Sequence, residues 1–138
     1  MAVEALSGVW AKEWKKQLDA SPGFAAAAAG WSGKVVFAMR PDSGGDIERA
    51  VLLTIHNGRC HGARPARPAD RAGCDLLLSA SVDTWQRLLA GHADPVLAIL
   101  LGHIRFEKGR WSDLMPYAQA ARELLRAAAA VKTSFPTL

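Results

Sequence analysis

The 138-residue chain has little of what marks a secreted, membrane-spanning or metal-binding protein. It holds two cysteines, Cys60 and Cys74. Two are too few for a disulfide framework, so both are expected as free thiols in a reducing cytoplasm. His56, Cys60, His61 and Cys74 match no zinc-finger spacing, and neighbours on a strand point to opposite faces, so no metal is expected. No run approaches the roughly 18 to 20 apolar residues of a membrane span. The longest small-residue run, Phe24 to Gly30, is alanine-rich and short. Met1-Ala2-Val3-Glu4-Ala5 carries an acid where a secretory leader needs basic residues. Phe135-Pro136-Thr137-Leu138 is not a Ser-Lys-Leu peroxisomal address. Catalytic signatures are missing too: there is no nucleophile elbow, no Walker loop and no dinucleotide fingerprint. His56, His61, His92 and His103 are scattered, and helix capping accounts for Asp83 and Asp94. Neither an enzyme nor a cofactor is expected.

What is present is ordinary in amount and informative in arrangement. The length suits one domain over residues 1–138 with a real core. Hydrophobic residues make up 50% and charged residues 22%, values typical of a globular chain. The net charge of +4 and the isoelectric point near 9.4 are mildly basic and no nucleic-acid signature. The excess is local: Arg59, Arg64, Arg67 and Arg71 lie between Gly58 and Gly73, opposed only by Asp70. Two readings stay open there, a solvated loop or a patch that meets a membrane surface or an acidic partner.

Periodicity supplies the elements. Val3, Leu6, Trp10, Trp14 and Leu18 predict a helix over 3–18, stopped by Ser21-Pro22-Gly23. Phe24 to Ala29 allows one or two further turns. Alternation predicts strands over 33–40 and 47–56. Asn57-Gly58 is a type I′ hairpin signal, setting His56 against Arg59, Ile55 against Cys60 and Thr54 against His61. Pro65 and Pro68 argue against regular sheet over 63–73. A strand follows over 74–81. Phe37, Leu53, Ile55, Leu76, Leu78, Ile104 and Phe106 are expected on the face covered by helices. Val36, Leu52, Leu77 and Arg105 should point the other way. The last helix is expected over 113–131, with Pro116 in its first turn. The order suggests α+β, with helices on one face of a hairpin-rich sheet. The crossover from strand 74–81 to strand 103–108 allows a parallel pair.

The segment from Asp75 to Met115 carries the most. A strand is followed by Val82-Asp83-Thr84-Trp85-Gln86-Arg87-Leu88-Leu89-Ala90-Gly91, then by Asp94-Pro95-Val96-Leu97-Ala98-Ile99-Leu100-Leu101-Gly102, then by a strand ending at Gly109. Both helices are short and apolar over most of their surface, so each must be buried or line something apolar. Trp85, Gly91, the Asp94-Pro95 start, Ala98, Gly102, the Ile104-Arg105-Phe106 strand and Gly109 resemble the lipid-binding domains of the sterol carrier protein 2 family, and the likeness extends over roughly residues 5–128. His103 stands where that family usually has lysine, and Gly109-Arg110 where it usually has Gly-Asp.

The resemblance implies a five-stranded, largely antiparallel sheet with helices on one face and an apolar tunnel between them. It implies binding or transfer of a sterol, fatty acid, acyl-CoA or phospholipid without covalent chemistry. Together with the two apolar helices it nominates Trp85, Leu88, Leu89, Leu97, Leu101, Ile104 and Met115 as the ligand lining. A second reading keeps the same fold as an interaction or homodimerisation module that assists a lipid-pathway enzyme. A third is a small enzyme or accessory factor acting on an apolar substrate. On residue type alone the same side chains also suit a plain core.

Overall fold

The computed structural model describes residues 2–47 and 49–136. Its elements are, in order, β1 (Val3–Glu4), α1 (Gly8–Asp19), α2 (Pro22–Ala27), β2 (Gly33–Arg40), β3 (Arg49–His56), β4 (Arg59–Pro65), α3 (Pro68–Gly73), β5 (Leu76–Ser81), α4 (Val82–Leu89), α5 (Pro95–Leu100), β6 (Ile104–Lys108), α6 (Trp111–Leu114), a 3₁₀ turn (Met115–Tyr117), α7 (Ala118–Ala129) and β7 (Thr133–Ser134). Five strands form one sheet in the order β4-β3-β2-β5-β6. Every neighbouring pair is antiparallel except β2 and β5. This is the expected α+β class.

The parallel pair is not where the crossover argument allowed it. β6 runs antiparallel to β5, with Ile104 opposite Ala80. Helices α4 and α5 run out and back, so the chain re-enters the sheet at the end of β5 it had left. The parallel partner of β5 is β2, with Val35 opposite Leu76. To reach it from the edge strand β4, the chain must cross over the sheet. That crossover contains α3 and lies on the face away from the other helices. Val36, Ala38, Ala50, Leu52, Cys74 and Leu77 form a second buried cluster there, with Ala66 packed against it. The two prolines end β4 and start α3. Pro65 falls at the last position of an edge strand, where a missing N–H is tolerated. Asp70 caps α3 by accepting from the Arg67 N–H, and Arg64 binds its carboxylate at 2.7 Å. That ion pair first, and the backbone bond second, hold the Asp70 carboxyl down at about 2.

The expected faces hold. Phe37, Leu53, Ile55, Leu76 and Leu78 belong to the main core under the helices, with Ile104 and Phe106 packed against it. Val36, Leu52 and Leu77 point the other way, and exposed Arg105 pairs with Ser79. Asn57 and Gly58 both have positive φ, as a type I′ turn requires. A Cβ on Gly58 would lie 2.7 Å from the Ala28 carbonyl oxygen, so this turn also needs glycine to pass the end of α2. His56 faces Arg59 and Ile55 faces Cys60, but Thr54 faces Gly62 and not His61. A bulge between Thr54 and Ile55 leaves His61 without a partner in the ladder.

The N-terminal helix starts later than the apolar repeat alone suggests. Leu6 has φ +58° and Ser7 accepts from the Trp10 N–H, so α1 is capped at Ser7. Val3 and Glu4 instead pair in parallel with Thr133 and Ser134. The long last helix is divided: Asp113 caps α6, and a 3₁₀ turn around Pro116 separates it from α7.

Candidate functional site

The inner sheet face and the helices leave an apolar space of about 30 Å³. The sheet supplies Val35, Phe37, Leu78, Ala80 and Ile104; α4 supplies Trp85 and Leu88; α5 supplies Pro95 and Ile99; α7 supplies Ala121, Leu124 and Leu125. Period-two alternation aims the strand residues inward. Ser81 starts α4 by accepting from the Thr84 N–H, and Asp94 starts α5 by accepting from the Leu97 N–H. The α4 cap is the last residue of β5, so α4 starts directly from the sheet, whereas α5 starts at the Asp94-Pro95 pair.

Trp85 is a fixed wall. Its indole is 3% exposed, donates to the Ala38 carbonyl at 3.0 Å and meets Phe37 edge-on at 6.3 Å. At the other end Trp31 stacks on Tyr117 at 5.1 Å.

The nominated lining separates into two groups. Trp85, Leu88 and Ile104 stand on the cavity wall. Leu89 is half-buried and packs against the core from outside it. Leu97, Leu101 and Met115 are 53%, 61% and 55% exposed and face away from the cavity. Helix α5 buries only Pro95 and Ala98; Leu97, Leu100 and Leu101 share its outer face at helical spacing. Trp31, Leu124 and Leu125 are cavity residues that the sequence reading did not nominate. Leu124 and Leu125 lie on the helix expected over 113–131, and Trp31 lies before a strand with no periodicity to place it.

Two surface grooves abut this cavity. One, of about 470 Å³, lies between the α4–α5 loop and α7 and holds His92, Asp94, Arg122 and Arg126. Its floor is made by Leu88, Pro95 and Leu125, which are also cavity walls. The other, of about 450 Å³, shares Trp31 and Val35 with the cavity and holds Asp75 and Asp113. In the first groove Arg122 Nε donates to Asp94 at 2.9 Å, tying α7 to the start of α5. Burial pushes the Asp94 carboxyl up, but the bonds from Arg122 and the Leu97 N–H outweigh it and hold it below its ordinary value. Arg126 donates to Glu123 at 2.9 Å while its own side chain is 73% exposed.

No group of three or more metal-ligating side chains occurs among the described residues. Cys60 and Cys74 are free and buried. Burial is the main cause that pushes the Cys60 thiol up to about 11. Thiolate is the reactive form. Native protein at pH 8 is therefore expected to react slowly with a thiol reagent, and unfolded protein without reductant to yield two equivalents. Fewer than two in the unfolded chain would show a bond or a modification.

Of the two readings left open for the arginines, a single patch is not formed, because they are spread out. Arg59 begins β4 and Arg64 lies near its other end, about 16 Å away at the rise of a strand. Arg64 is committed to Asp70 and Arg71 is half-buried. No helix among the described residues is long and apolar enough to cross a membrane.

Among solved structures, a sterol carrier protein 2 crystal structure is 34% identical, with a TM-score of 0.82, over 93% of this chain and 99% of that one. The conserved hypothetical protein TT1886 of Thermus thermophilus, described as a candidate sterol carrier protein, is 32% identical with a TM-score of 0.82 over 100% and 97%. The palmitated SCP2L2 of Aedes aegypti shares the fold at 13% identity, with a TM-score of 0.58 over 91% and 96%. The chain belongs to the sterol carrier protein 2 family. No family model and no curated protein matches it.

Proposed function

We propose that this protein is a non-catalytic carrier that binds the apolar tail of a lipid between the sheet and helices α4, α5 and α7. The observation that carries the reading is the wholly apolar cavity around Trp85, bounded by Leu88, Ile104 and Leu125. Family membership supports it, and a fold neighbour is described in palmitated form. The reading takes residues 1–138 as one domain working in the cytoplasm, in keeping with two free thiols.

A space of about 30 Å³ holds no long tail; small-molecule sites commonly run to ~300–1,000 Å³. Binding therefore needs the walls to part, and α5 is the wall held by least. It buries two residues and is tied to α7 through Asp94 and Arg122. Trp85, Leu88 and Ile104 contact the tail directly; Leu89, Leu97, Leu101 and Met115 reach it only once the walls have moved. A sixteen-carbon tail gains roughly 12 kcal/mol gross at about 0.8 kcal/mol per methylene. Ordering and opening costs of several kcal/mol bring this to affinities of about micromolar to nanomolar. Delivery also calls for transient membrane contact, for which Arg59 and Arg67 are exposed and make no ion pair among the described residues.

Palmitate is expected to change tryptophan emission in wild type, and much less in Trp85→Phe. Ala121→Phe puts a ring into the cavity from α7, where Ala121 is buried. Overpacking costs ~1–3 kcal/mol, so the variant should fold by circular dichroism and bind palmitate at least tenfold more weakly. Undiminished binding by folded Ala121→Phe, or no binding by wild type at about 100 μM, overturns the reading.

The exposed Leu97, Leu100 and Leu101 favour a second reading, an interaction or homodimerisation surface. A lipid-free dimer in native mass spectrometry that Leu97→Lys dissolves would establish it; co-purified lipid on a monomer supports the carrier.

A further inference from the structure

We infer that the groove between the α4–α5 loop and α7 receives an anionic lipid head on Arg122 and Arg126, so that the ligand lies in the cavity with its head there and its tail toward Trp31. The inference rests on the carrier reading and adds the chemistry and direction of the ligand.

Three observations carry it. The groove and the apolar cavity share Leu88, Pro95 and Leu125, so a molecule that parts these three side chains spans both spaces. The groove offers two guanidinium groups whose donors are only partly used. Arg122 gives Nε to Asp94 and Nη1 to Gln119, and Arg126 gives Nη1 to Glu123. Guanidinium forks match carboxylate and phosphate oxygens. The groove at the far end of the cavity has the opposite sign. Among the described residues, Asp75 and Asp113 line it and no arginine or lysine does; their carboxylates accept only from the backbone N–H groups of Lys34 and Arg110. An anionic head is therefore attracted at one end and repelled at the other.

The same contact bears on opening. Asp94 occupies Arg122 at 2.9 Å and stands at the start of α5. An incoming anion competes with Asp94 for that guanidinium, and success releases the tie between α7 and α5. The head would thus loosen the wall that the tail must move.

The test uses three twelve-carbon ligands with one tail: dodecanoate, dodecyl phosphate and dodecanol. Wild type is expected to bind the two anions about tenfold more tightly than the alcohol, and the anion with the larger margin tells a carboxylate from a phosphate source. In Arg122→Gln/Arg126→Gln the margin should fall to about twofold, whatever loss of the Asp94 tie does to the binding of all three tails alike. Asp94→Asn keeps a capping oxygen for Leu97 and removes the competing charge, so it should tighten anion binding about threefold, a gain that a damaged fold would not produce. Equal weakening of all three ligands in the double variant, a surviving anion preference, or weaker anion binding in Asp94→Asn overturns the head placement. Equal binding of all three by wild type does the same. Wild type that binds none of them overturns the carrier reading itself.

Discussion

Trp14→Ala is expected to remove about 4 kcal/mol of stability, the largest loss from any single truncation in the helix layer. Trp14 is fully buried on α1. It meets Trp10 at 4.9 Å and Phe37 edge-on at 5.3 Å, and its indole donates to the Leu124 carbonyl at 2.9 Å. One side chain therefore joins α1, the sheet and α7. Truncating a buried tryptophan to alanine costs ~3–5 kcal/mol through lost transfer energy and the cavity left behind. A domain of this size has about 5–15 kcal/mol in all, so the variant should be folded only marginally at 37 °C. Trp14→Phe keeps much of the volume and loses the donor, so it should cost less than half as much. Urea titration of the three proteins measures both differences. A loss under about 1.5 kcal/mol for Trp14→Ala would show that the three layers do not depend on this residue.

Gly109→Val is expected to cost about 3–4 kcal/mol for a different reason. Gly109 follows β6 with φ +85°. A Cβ there would lie 2.9 Å from the Asp75 carbonyl oxygen and would overlap the Leu76 side chain. A left-handed backbone costs an ordinary residue ~1–2 kcal/mol, and a branched side chain adds the collision with the start of β5. Gly102 is the natural control. It has φ +82° but nothing within 4 Å of its missing Cβ. Gly102→Ala should therefore show only the backbone cost, about 1 kcal/mol, and Gly109→Ala visibly more. Equal losses in the two alanine variants would show that Leu76 and Asp75 yield without cost.

The elements that proved legible are those with local rules. Alternation in Val35-Val36-Phe37 and Leu76-Leu77-Leu78 assigns faces without knowledge of the partner strand. Asn57-Gly58 and Asp94-Pro95 each carry their own backbone geometry. What escaped was decided at a distance. Pairing of Val3 with Thr133 leaves no trace in either two-residue segment. The β4–β5 crossover has no period, because it is buried by its route over the sheet and not by its own pattern. The candidate site shows the same division. Trp85, Leu88 and Ile104 are on elements whose inner face the sequence defines. Helix α5 is apolar nearly all round, so its pattern cannot say which side is covered; α7 and β6 settle that, and they leave Leu97 and Leu101 outside.

The short parallel ribbon of β1 and β7 places Val3 beside Thr133 and ties them through the Val3 N–H to Lys132 and the Ala5 N–H to Ser134. Entry to and exit from the fold are thus adjacent. A unit with that property behaves as a cassette: it can be spliced into a surface loop of a host chain, or circularised and reopened at the Gly44-Gly45 turn, without drawing any strand of the sheet out of register.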